Sequence, residues 1–172
     1  MIFFILFVII LFMLFLYFFL RYGNYYFIIL NSKLNLDAEY PNPPLMGTSP
    51  IDRGRVADLQ WHIEMGGFMA MAEYLRNSAQ GFKGRALTGP INYDQIPALA
   101  ERGKQRIERF LAEVDDLVGE KPFVAGDAFT VADIDLLVLI DFAAWRKLVL
   151  AENAIHARRW YDVVSARPSA AL

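Results

Sequence analysis

A helix start at residues 129–134 constrains the fold of this chain more than any other feature. It lies within residues 123–140, which read FVAGDAFTVADIDLLVLI. Thr130 is a candidate N-cap, because its hydroxyl can accept a bond from the N–H three residues on, and the carboxylate of Asp133 can reach back to the N–H of Thr130. The apolar run that follows is typical of a helix buried on every side. We therefore predict a central buried helix and assign Thr130 and Asp133 to folding rather than to chemistry.

Helical spacing of apolar residues continues on both sides of this helix, and no convincing β-strand follows residue 37. A Ser-Pro-x-Asp start at Ser49 predicts a helix that runs to about Asn77. The other predicted helices lie at about 94–118 and 152–166. The sequence thus predicts an all-α fold, a helical bundle over residues 48–168, in which truncation of Thr130 or Asp133 to alanine costs about 1 kcal/mol.

The first predicted helix carries two apolar stripes, whereas a helix with one face exposed to solvent needs only one apolar stripe. Either the helix lies inside the bundle, or it offers its second face to a ligand or partner. Gly66 and Gly67 weaken a helix by about 1 kcal/mol each. We therefore expect another helix or a ligand to approach closely at this pair.

Composition excludes several classes of function. The net charge is −2 and the chain has no block of Lys or Arg, so no electrostatic nucleic-acid surface is expected. The absence of cysteine excludes disulfides, cysteine metal sites and a thiol nucleophile. His62 and His156 are far apart and lack a metal-ligand spacing, so we predict no metal site.

The first part of the chain differs from the rest. Residues 1–21 are almost wholly apolar, and as a helix they would span about 30 Å, the thickness of a bilayer core. This predicts a hydrophobic transmembrane helix, followed by a linker at residues 22–47. The basic residues Arg21 and Lys33 then place the C-terminal domain in the cytoplasm. The predicted localisation is a membrane-anchored protein with a cytoplasmic helical domain.

A second explanation of this segment stays open. Residues 1–36 contain no alanine, and the composition changes abruptly at Asp37. A mis-assigned start or a broken gene would give the same change. In that case residues 1–36 are no genuine anchor, and a cytoplasmic protein is expected.

Several motifs between Tyr40 and Pro168 together resemble the all-α C-terminal domain of a bacterial-type glutathione S-transferase. The central helix start, with its Gly126-Asp127 turn, is the most specific of them. The others are PPLMG at Pro43–Gly47, the helix start at Ser49–Asp52, Trp145, and the closing Arg158–Asp162 and Arg167-Pro168.

The resemblance implies an enzyme that conjugates glutathione, as co-substrate and without a bound cofactor, to hydrophobic electrophiles. In that family an N-terminal thioredoxin-like domain activates the thiol, and no position here matches it. No catalytic residue therefore carries over, and we expect the chain alone to be inactive. The resemblance does imply substrate-binding residues, because Trp61, Glu64, Phe68 and Trp145 fall where the family's substrate pocket is lined. The three aromatic residues are explained at least as well as core residues.

Two classes of function therefore stand beside each other. One is a glutathione transferase whose chain is incomplete. The other is a non-catalytic helical module, membrane-anchored if the first segment is genuine, that binds a partner. The expected partners are a hydrophobic small molecule, a second copy of the chain and a membrane, and nucleic acid is not among them.

Overall fold

The computed structural model describes residue 33 and residues 35–170 of the chain. Within this part the predicted all-α fold is confirmed, since the β-pairing there consists of an isolated bridge between Phe123 and Gly126. A short helical segment at residues 35–39 comes first. The longer helices that follow are α1 (Pro50–His62), α2 (Met69–Ser78), α3 (Pro97–Val118), α4 (Val131–Ala144) and α5 (Ile155–Ser165).

Helix α1 begins as its sequence predicts. The N–H of Asp52 donates to Ser49 Oγ at 3.1 Å, and the N–H of Ser49 donates to Asp52 Oδ2 at 3.1 Å. This reciprocal pair is a capping box, with Pro50 in the first turn, where its missing N–H costs nothing.

The helix predicted over residues 49–77 is interrupted by a π-helical stretch at Ile63–Phe68, which joins α1 to α2. Gly66 and Gly67 lie in this stretch. A Cβ at Gly66 would lie 2.8 Å from the ring of Phe110 in α3, and a Cβ at Gly67 would overlap with Leu139 of α4. The predicted close approach at the glycine pair is therefore confirmed, and the neighbours are two helices of the same bundle.

Helix α4 lies at the centre of the bundle, as predicted. Eleven of its 14 residues are buried, and the others, Val138, Asp141 and Ala144, lie in its C-terminal half. Helices α1 and α5 and the π stretch pack against it, and α3 contributes to the same hydrophobic core. Its buried apolar residues are Val131, Ala132, Ile134, Leu136, Leu137, Leu139, Ile140, Phe142 and Ala143.

The start of α4 is fixed by more than its capping box. Asp133 is completely buried and accepts from the N–H of Thr130 at 2.9 Å. It also accepts from the N–H of Val124 and from the indole Nε1 of Trp160, both at 2.8 Å. Asp133 thus joins the preceding loop, α4 and α5, and its loss should cost more than the 1 kcal/mol expected of a cap alone.

The membrane-anchored localisation predicted from the sequence is corrected. Among residues 33 and 35–170, no helix combines the length and the apolar composition that crossing a membrane requires. The predicted membrane helix at residues 1–21 lies outside the described residues, and so do residues 22–32 and 34 of the predicted linker.

Candidate ligand-binding site

The four residues predicted to bind substrate occupy two kinds of environment. Phe68, at the end of the π stretch, is 8% exposed and belongs to the main hydrophobic core. Trp61, near the end of α1, is 56% exposed, and Trp145, directly after α4, is 70% exposed. Glu64 lies in the π stretch and is partly buried. The structure therefore separates a core aromatic from two surface tryptophans.

The two tryptophans leave a large apolar area in contact with solvent. The ring of Trp145 packs edge-on against Phe142, with centroids 5.7 Å apart, so one side of it is held by the core. Met69, at the start of α2, is also exposed. Exposed aromatic rings that are anchored on one side are typical of surfaces that bind apolar ligands.

A buried polar cluster lies between α1 and α4. Its centre is Asp135, which is 2% exposed. Lys33 Nζ lies 2.9 Å from Asp135 Oδ2 and 3.1 Å from Oδ1, and the amide Nε2 of Gln60 donates to Oδ2 at 2.9 Å. The other amide atom of Gln60, Oε1, is buried and has no hydrogen-bond partner.

Glu64 is coupled to this cluster through its charge. Burial of its carboxyl, and next the negative charge of Asp135, raise the pKa of Glu64 to about 8. Glu64 is therefore mostly protonated at neutral pH. A cation beside it would favour the ionised form, so Glu64 can adjust its charge to that of a neighbouring ligand.

The sequence pointed to Glu64 but not to Lys33, Gln60 or Asp135 as members of the site. A usable signal existed for Asp135, because an acidic residue inside an otherwise apolar central helix must be paired when it is buried. Nothing in the sequence pointed to Gln60 or Lys33. Lys33 is 102 residues away from Asp135 along the chain, and a single contact at that separation leaves no local pattern.

The described part of the chain contains no group of three His, Cys, Asp or Glu side chains placed to hold a metal ion. His62 instead lies with its ring 5.5 Å from that of Phe110. The polar chemistry of the site is therefore that of two carboxyl groups, one amide and one ammonium group.

Comparison with known proteins gives the class of this helical fold. Residues 97–163, from the start of α3 to the last turn of α5, match the family model described as glutathione S-transferase, C-terminal domain. This match indicates a glutathione S-transferase-like protein, and the helical bundle is similar to the C-terminal domain of that family.

Individual relatives agree with this assignment. The chain is 27% identical over 135 residues to glutathione S-transferase 2 of Saccharomyces cerevisiae, covering 78% of this chain and 55% of the relative. The crystal structure of Gtt2 from Saccharomyces cerevisiae superposes with a TM-score of 0.69 at 27% identity, covering 79% of this chain and 63% of that structure.

A relative with a different name also matches. The chain is 29% identical over 111 residues to a stringent starvation protein A homolog of Coxiella burnetii, covering 64% of this chain and 43% of the relative. The chain therefore spans about half the length of the two curated relatives that it matches.

Proposed function

We propose that this chain provides the electrophile-binding side of a glutathione transferase, which conjugates glutathione to hydrophobic electrophiles. Residues 48–168 form the helical domain, and residues 22–47 are the linker that precedes it. Trp61, Glu64, Phe68 and Trp145 are the proposed contacts of the electrophile. A second copy of the chain is the proposed protein partner.

The observation that carries this proposal is the exposure of Trp61 and Trp145. Both rings lose the free energy that burial of an aromatic side chain would provide. They border the elements that hold the polar cluster, since Trp61 lies two residues before the π stretch and Trp145 directly follows α4. Burial of either ring by a ligand would recover that free energy. Phe68 contributes as a rigid support from the core.

The helical domain is unsuited to activating glutathione by itself. Conjugation requires that the thiol lose its proton, which neighbouring hydrogen-bond donors or positive charge promote. None of the four proposed contacts is a hydroxyl, a thiol or a positively charged side chain, the groups that would stabilise a thiolate. The chain also has no cysteine. We therefore propose that the 172-residue chain does not turn over glutathione when it is assayed alone.

The experiment combines ligand binding with turnover. A hydrophobic fluorescent dye such as anilinonaphthalene sulfonate should bind at micromolar concentrations, and Trp61→Ala or Trp145→Ala should weaken it several-fold. Ile155→Ala is the matched control, because Ile155 is an equally exposed apolar residue on α5. Glutathione with chlorodinitrobenzene should give no product above background. Dye binding that neither tryptophan substitution weakens would overturn the proposed binding site. Glutathione-dependent turnover by the purified chain would overturn the proposal that the chain alone is inactive.

The alternative is a non-catalytic helical module that binds a partner. This alternative is supported by the similarity to a protein that is named for stringent starvation and not for the transfer of glutathione. Titration calorimetry with glutathione distinguishes the two, provided that the chain is measured with any protein that copurifies with it. Glutathione binding by such a complex supports the transferase. A complex with no affinity for glutathione supports the interaction module.

A further inference from the structure

The carboxylate of Asp135 already holds one primary ammonium group, that of Lys33. Both carboxylate oxygens lie within 3.1 Å of Lys33 Nζ. The side chain of Asp135 is 2% exposed, whereas that of Lys33 is 12% exposed. The stem of Lys33 therefore leads from the edge of the solvent to a carboxylate that solvent hardly reaches.

The amide of Gln60 adds an unused acceptor to the same cluster. Gln60 is 4% exposed, and its Nε2 donates to Asp135 Oδ2 at 2.9 Å. That bond fixes the orientation of the amide and places Oε1 beside Asp135. Oε1 is buried without a hydrogen-bond partner. Buried polar atoms in native proteins are nearly always paired, so this unpaired carbonyl oxygen is an acceptor open to another donor.

Glu64 completes the set of acceptors. Burial of its carboxyl, and next the negative charge of Asp135, raise the pKa of Glu64 and keep the proton on it when no further cation is present. A cation that enters the cluster would stabilise the ionised form of Glu64. The carboxylate would then become a further acceptor and would balance the added positive charge.

We propose that Asp135, Gln60 and Glu64 form a binding site for a small primary amine, in which Lys33 is a tethered occupant. A primary ammonium group has three N–H donors. Lys33 donates to Asp135, and an untethered ammonium group also has donors for Gln60 Oε1 and Glu64. A quaternary ammonium ion lacks these donors, and an alcohol lacks the charge. The inference does not depend on glutathione chemistry, because it rests on contacts within the polar cluster.

The test is chemical rescue in the full chain. Lys33→Ala removes the atoms from Cγ to Nζ, which n-propylammonium replaces. We expect n-propylammonium to raise the melting temperature of this variant saturably, with half-saturation at about 10 mM, a modest affinity for so small a ligand. The wild type should respond several-fold less, because Lys33 occupies the site. Tetramethylammonium and n-propanol at equal concentration should have no comparable effect.

Two further variants locate the effect in the cluster. The double variant Lys33→Ala/Asp135→Asn should lose the rescue, and Lys33→Ala/Gln60→Met should need a several-fold higher amine concentration. If Lys33→Ala does not fold in plain buffer, the helical circular dichroism recovered by refolding with each additive gives the same comparison. No rescue of Lys33→Ala, equal rescue of the Asp135→Asn double variant, or equal rescue by tetramethylammonium would overturn the proposal.

Discussion

Helix α4 carries two buried carboxylates two residues apart, Asp133 and Asp135, and the fold surrounds them with different kinds of donor. Asp133 accepts from the backbone N–H groups of Val124 and Thr130 and from the indole of Trp160. Asp135 accepts from the ammonium of Lys33 and the amide of Gln60. Two residues along a helix point in different directions, so the two groups face different neighbours.

The difference between these two sets of donors shows which of the two carboxylates the fold depends on. Backbone N–H groups and a core indole cannot leave Asp133 unless the bundle opens. Lysine is a flexible side chain with its charge at the end, and Lys33 is in partial contact with solvent. Its ammonium can therefore exchange for another at little cost to the helices. Asp133 holds the bundle together, and Asp135 holds a group that can be replaced.

The largest effect should come from Asp133→Ala. The change leaves Val124 N–H and the Trp160 indole buried without an acceptor, so we expect it to lower the free energy of unfolding by about 3–5 kcal/mol. Urea denaturation at neutral pH measures this. Thr130→Ala, which leaves the Val124 and Trp160 bonds in place, should cost about 1 kcal/mol. Equal losses for the two variants would show that Asp133 acts as a cap alone.

Asp135→Ala should have a smaller effect, about 1–2 kcal/mol, on the same free energy of unfolding. The ammonium of Lys33 can turn to water, so the main loss is the acceptor for Gln60 Nε2. Asp135→Asn keeps an acceptor oxygen and should lie nearer to the wild type. A loss from Asp135→Ala as large as that from Asp133→Ala would remove the distinction between the two carboxylates.

The smallest effect should be the pH dependence contributed by Glu64. Its pKa in the folded chain is about 8, above the ordinary 4.5, so the folded state holds a proton that the unfolded state releases between these values. This contribution to stability is complete below about pH 4.5 and is lost as the pH rises through about 8. Glu64 is partly exposed, which reduces the effect to about 1–2 kcal/mol.

Glu64→Gln isolates this contribution, because glutamine keeps the size of the side chain and does not titrate. Urea unfolding of both proteins at several pH values gives the difference. We expect the wild type to lose more stability than Glu64→Gln between about pH 5 and pH 8. Parallel pH curves for the two proteins would show that Asp135 and burial do not act on Glu64 as the structure indicates.

The same helix also shows how far sequence reasoning reaches. The cap at Thr130 and Asp133, the buried run of α4 and the close approach at Gly66 and Gly67 follow from local rules of spacing and propensity. The cap and the buried run depend on residues that are close together in the sequence. The close approach depends on the absence of a side chain at the two glycines, which leaves space for a neighbouring helix.

The candidate site depends on contacts between distant segments, and there the local rules fail. Trp61 and Phe68 lie on one continuous run of helical turns, yet one is exposed and the other buried. The π stretch between them changes which way side chains point, and no local pattern predicted it. The contact of Trp160 with Asp133 and that of Lys33 with Asp135 likewise have no signature at either position.

The contrast between the two carboxylates is tested most directly by one measurement on two variants, the urea midpoint of Lys33→Ala and of Asp133→Asn with and without n-propylammonium. At about 50 mM amine and a dissociation constant of about 10 mM, Lys33→Ala should gain about 1 kcal/mol. Asp133→Asn should gain no more than the wild type, because its site has no place for a free ammonium. Equal gains in both variants, or none in Lys33→Ala, would contradict the assignment of Asp135 to a replaceable amine and of Asp133 to the fold.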